Sequence, residues 1–149
     1  MDGDAFILQL LHVVIFSANP LTGNRQEVVI TASWGLGESL VGGTVMPDTW
    51  SVRKRDLVIT ARQIGDKRRM TVPAREPPPE DVQHRTREVD VPRLLRTRPA
   101  LDDARIAELA HLALTLETMV GWPVDAECAY QDGQLYLLQC RPITSLPQP

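Results

Sequence analysis

Cysteine is scarce in this chain, which has two, Cys128 and Cys140, among 149 residues. Two are too few for a disulfide framework and their separation is not that of a zinc site, so buried free thiols are expected. Long hydrophobic runs are missing as well. The longest, residues 6–16, is interrupted by Gln9 and His12 and falls short of the ~20 residues a membrane-spanning helix needs. Positive charge is absent ahead of that run, where Asp2 and Asp4 stand instead. A secretory leader would need it, and a cytoplasmic location is expected. Basic residues are not in excess either, with 16 Lys plus Arg against 19 Asp plus Glu and a net charge of -3. No nucleic-acid partner is expected, because neutralising phosphates takes a basic face. The three histidines, His12, His84 and His111, share no metal-binding spacing and read as core or solvated side chains.

What is present is 43% hydrophobic residues, enough for one core, and 12 prolines that call for an irregular segment. Residues 6–17 and 27–33 read as strands around a turn-rich stretch from Asn19 to Asn24. Residues 49–64 read as a hairpin, with Trp50 and Val52 before a charged turn and Leu57, Ile59 and Ala61 alternating after it. Between these, Gly35-Leu36-Gly37-Glu38 reads as a tight structural turn, with backbone amides offered to a phosphate as the alternative. Residues 74–100 interleave Arg with acids and predict an exposed loop, with one short strand near Glu88 to Val91. Ile106, Leu109, Ala113, Leu116 and Val120 recur at helical steps, the mark of one buried face. Asp102 or Asp103 can cap that helix, and Gly121 followed by Pro123 stops it. A hairpin closes the chain, residues 124–130 and 135–141, turning at Asp132-Gly133.

The register of this hairpin decides its chemistry, because a one-residue slip moves every side chain to the other face. A two-residue Asp132-Gly133 loop sets Glu127 opposite Leu138 and sends Gln139 to the other side. A three-residue loop, Asp132 to Gln134, sets Glu127 opposite Gln139 with Arg141 on the same face. Only the second arrangement converges a carboxylate, an amide oxygen and a guanidinium. That set suits a magnesium nucleotide, with two hard oxygens for the metal and a forked donor for a phosphate. The plain alternative is an amphipathic hairpin with its polar residues in water.

The sequence Asp125-Ala-Glu127-Cys-Ala followed by Asp132-Gly-Gln-Leu-Tyr-Leu-Leu-Gln139-Cys-Arg141-Pro142-Ile143-Thr144 resembles the end of the ATP-grasp nucleotide-binding domain of phosphoenolpyruvate synthase, pyruvate phosphate dikinase and rifampin phosphotransferase. The resemblance recurs in Val14-Ile-Phe-Ser-Ala-Asn-Pro-Leu-Thr-Gly-Asn24, Ala32-Ser-Trp-Gly-Leu-Gly-Glu38, Pro47-Asp48 and Ile64-Gly-Asp-Lys67, in order through nearly the whole chain. It implies an α+β fold, an ATP-grasp-like subdomain with a mainly antiparallel sheet, one long helix and a terminal β-hairpin. It also implies that Glu127 and Gln139 bind magnesium and nucleotide phosphates, that Arg141 contacts the transferring phosphates, and that Gln9 runs past the adenine. ATP and Mg are the implied cofactors. In the family, ATP gives a phosphoryl group to a histidine on a mobile carrier domain, which delivers it to pyruvate or an antibiotic.

Departures accompany the likeness. Leu11-His12-Val13 joins directly two segments that relatives separate, and Cys128 stands where they usually carry Trp. The family's amino-terminal half of the ATP site and its carrier-histidine domain are missing partners, so residues 1–149 are expected to be a partial ATP-grasp domain. The competing reading is a non-catalytic binding or regulatory remnant of the fold. A missing half-site leaves apolar surface and strand edges to be covered, so a homo-oligomer is expected. Sedimentation at micromolar concentration checks this, and a monomer throughout would contradict it.

Overall fold

Eight strands and one long helix account for most of the residues that the computed structural model describes, which are 10–37, 46–73 and 86–148. The strands are β1 (Leu10–Phe16), β2 (Glu27–Trp34), β3 (Asp48–Arg53), β4 (Ile59–Gln63), β5 (Arg69–Pro73), β6 (Thr86–Asp90), β7 (Val124–Gln131) and β8 (Gln134–Pro142). Helix α1 spans Asp103–Val120. Six strands form an antiparallel sheet in the order β4-β3-β2-β1-β7-β8, and β5 pairs with β6 beside it. The chain is therefore α+β, with the expected antiparallel sheet, single long helix and terminal hairpin.

Period-two patterning explains the sheet. Leu11, Val13 and Ile15 of β1, Val28, Ile30 and Ala32 of β2, and Val124, Ala126, Cys128 and Tyr130 of β7 all enter one hydrophobic core. The helix covers that face with Ile106, Leu109, Ala110, Ala113 and Leu116. Val120, expected on this stripe, is instead 45% exposed. Asp102 caps the helix by accepting from the Arg105 N–H, and Gly121 ends it at φ 78°. Side chains tie the helix to the sheet: Glu117 accepts from Lys54 Nζ at 2.9 Å and from Ser17 Oγ at 3.0 Å, and Tyr130 donates to Glu108. Cys128 and Cys140 are both unpaired thiols. Cys128 is buried, and that burial pushes its thiol up to about 12, which leaves no reactive thiolate at neutral pH.

Residues 74–100 are expected to be an exposed loop with one short strand near Glu88 to Val91, and in the described part most residues are exposed and a strand is present there. Residues 74–85 lie outside the described set, but Thr86–Asp90 form β6, Val91 and Ala100 are buried, and the Arg96 carbonyl accepts from the Lys67 N–H at 2.8 Å. β6 is held by its ladder with β5 and by Arg69 against Glu88 and Asp90, and its Val89 packs against the core.

Two sequence motifs become one buried crosslink. Asp48 and Lys67 are both fully buried, with Lys67 Nζ 2.6 Å from Asp48 Oδ1 and 3.1 Å from the Gly65 carbonyl. Asp48 also accepts from the Gly65 N–H at 2.9 Å and the Ala100 N–H at 2.8 Å. A Cβ at Gly65 would lie 2.0 Å from the Met46 carbonyl oxygen, so this position admits only glycine. Pro47-Asp48 and Ile64-Gly-Asp-Lys67 thus join the start of β3, the β4–β5 connection and the segment leading into α1.

Two amides of the glycine turn after β2 have structural partners, while Glu38 lies outside the described residues. The Gly35 N–H donates to the Leu10 carbonyl at 2.8 Å and the Leu36 N–H to the Thr71 carbonyl at 2.7 Å. Neither amide is left for a phosphate.

Candidate functional site

The face of the sheet turned away from α1 carries the candidate residues. One row crosses all six strands in register: Gln63, Thr49, Thr31, Val14, Glu127 and Gln139. The next row runs Ala61, Ser51, Val29, Phe16, Asp125 and Arg141. Glu127 thus faces Gln139 directly, and Arg141 lies one row along on the same side.

How the hairpin reaches this register differs from both sequence alternatives. The turn is the two-residue Asp132-Gly133 type, with φ 53° and 79° and Gln131 opposite Gln134. Positive φ at both central residues matches the right-handed twist of the flanking strands. That register continues to Cys128 opposite Leu137, and then a β-bulge shifts it so that Glu127 meets Gln139. Leu138 is the extra residue. The turn is thus the shorter of the two alternatives, and Leu138 supplies the shift that a longer loop would have given.

The Glu127 side chain is 41% exposed, and that of Arg141 65% exposed. Arg141 Nε stands 3.6 Å from Asp125 Oδ2 across the strand pair, which keeps the guanidinium over this face. Beside it opens a cleft of about 410 Å³, lined by Phe16, Pro20, Asp125, Arg141, Ile143 and Thr144 among others. Gln9 lies outside the described residues. The short join Leu11-His12-Val13 is an unbroken part of β1, paired with β2 on one side and β7 on the other.

Sequence reasoning missed His12 as a member of this site. It is buried, and its Nε2 is 2.7 Å from Glu127 Oε1. The residues that meet are 115 positions apart, so no local pattern could announce the contact.

Among the described residues, no group of three or more His, Cys, Asp and Glu side chains could hold a metal alone. Glu127 and Gln139 offer one carboxylate and one amide oxygen. That donor set fits magnesium, which takes one or two protein oxygens and completes its shell with nucleotide phosphates and water.

Comparison with known proteins gives the same direction. Residues 13–149 match the family model described as pyruvate phosphate dikinase, AMP/ATP-binding domain. The chain is 42% identical over 133 residues to a probable phosphoenolpyruvate synthase of Methanocaldococcus jannaschii, covering 89% of this chain and 11% of that protein. It is 40% identical over 137 residues to phosphoenolpyruvate synthase of Pyrococcus furiosus, covering 91% and 17%. Against rifampicin phosphotransferase of Streptomyces sviceus the identity is 36% over 133 residues, covering 89% and 14%. The chain thus spans less than a fifth of the length of these relatives. With 137 of its residues inside the family model and the sheet, helix and hairpin all in place, it belongs to the AMP/ATP-binding domain family of pyruvate phosphate dikinase.

Proposed function

We propose that this chain is the magnesium- and phosphate-binding part of an ATP-dependent phosphotransferase of the phosphoenolpyruvate synthase and dikinase type. The observation that carries the reading is Glu127 facing Gln139 with Arg141 on the same open face. Glu127 and Gln139 would hold the magnesium of the nucleotide, and Arg141 would neutralise the phosphate being transferred. The metal would supply charge neutralisation on the phosphates, and the protein groups would supply position, which is most of what phosphoryl transfer demands. Gln9 is assigned to the adenine by resemblance alone. The phosphoryl group would pass to a carrier histidine in another domain.

Calorimetry of ATP added to the purified chain, with and without magnesium, tests this reading. Binding that tightens when magnesium is present is expected, together with no measurable ATP hydrolysis or pyruvate phosphorylation by this chain on its own. Half of a closing site lacks the opposing cationic contacts that the transfer requires. Magnesium-independent binding, or none, would contradict the first expectation, and robust turnover the second.

A further inference from the structure

His12 sits on β1 with Ala129 of β7 and Ser33 of β2 as its cross-strand neighbours, one row from Glu127. Its ring reaches diagonally to Glu127, Nε2 lying 2.7 Å from Oε1. The imidazole is 6% exposed where the carboxylate is 41% exposed, so the ring lies beneath a carboxylate whose outer side is open. An ionised carboxylate only accepts hydrogen bonds, so Nε2 carries the proton and donates. Above the ring, a Cβ at Gly37 would fall 2.4 Å from Nε2, and glycine lets the turn after β2 close over it.

Packing alone does not account for an imidazole here. Among the described residues, His12 Nδ1 is buried with no hydrogen-bond partner, as is Ser33 Oγ beside it. An apolar side chain would fill the same space without that desolvation cost. What His12 provides and a leucine would not is the N–H on Glu127.

We infer that His12 is a positioning residue for the nucleotide's metal: it fixes the Glu127 carboxylate, and Gly37 fixes His12. The inference rests on the reading of Glu127 as a metal ligand. It links the Gly35–Gly37 turn to β7 through one side chain. Outer-layer hydrogen bonds of this kind hold a ligand in its binding geometry, and losing one lowers metal affinity by about 10- to 100-fold.

The test uses the full chain, with calorimetry of ATP in the presence of magnesium, of manganese, and of neither. His12→Leu is expected to weaken metal-nucleotide binding about tenfold, and to leave binding of metal-free ATP unchanged. His12→Gln, which keeps an N–H at similar reach, is expected within about threefold of the unmodified chain. Gly37→Ala, which crowds the ring without touching Glu127, is expected to act like His12→Leu. Pulsed electron paramagnetic resonance of manganese bound to the unmodified chain should show no directly coordinated imidazole nitrogen, a result that does not depend on any variant folding. The inference is overturned if His12→Leu binds normally while Glu127→Ala does not, or if the manganese spectrum shows a bound imidazole nitrogen. If Glu127→Ala also binds normally, the metal-ligand reading itself fails and the inference falls with it.

Discussion

Replacing Lys67 by methionine is expected to remove about 3–5 kcal/mol of stability. The side chain is fully buried and its ammonium lies 2.6 Å from Asp48 Oδ1. Deleting it leaves a buried carboxylate whose remaining donors among the described residues are the backbone N–H groups of Gly65 and Ala100. Domains of this size hold about 5–15 kcal/mol in total, so the loss is a large fraction, and a fall in Tm of about 10 °C or more should accompany it. Urea unfolding measures it. Adding Asp48→Asn to Lys67→Met should cost less than the two single changes summed, because the pair is coupled. A single-variant loss under about 1 kcal/mol would show that the crosslink does not hold these segments together.

Nucleotide binding carries the second large effect. Glu127→Ala is expected to weaken binding of magnesium ATP at least about tenfold, equivalent to ~1.4 kcal/mol, while leaving metal-free ATP unaffected. Arg141→Ala should weaken both, since a guanidinium acts on the phosphate whether or not the metal is present. Calorimetry separates the two patterns. Equal losses for both variants under both conditions would mean that Glu127 does not act through a metal.

The sequence made some of this architecture legible and left some of it hidden, for identifiable reasons. Helix α1 could be read because its stripe, its Asp102 cap and its Gly121 stop are all local signals. The Asp132-Gly133 turn was equally plain. The register beyond it was not, because Leu135-Tyr136-Leu137-Leu138 carries nothing to mark which residue is extra. His12 was invisible as a site residue since its role depends on Glu127 and Gly37, which reach it only through the fold. Pro47-Asp48 and Ile64-Gly-Asp-Lys67 carried the family resemblance, yet what they build is a buried ion pair behind the site.

The central claim is that the open face of the β7–β8 hairpin holds a metal nucleotide. Paramagnetic broadening of backbone amide resonances by substoichiometric manganese ATP tests it most directly, because the effect falls off steeply with distance from the ion. The account predicts that signals of His12, Glu127, Gln139 and Arg141 are lost first and that those of α1, on the opposite face, persist. Broadening centred anywhere else, or none at nucleotide saturation, would contradict it.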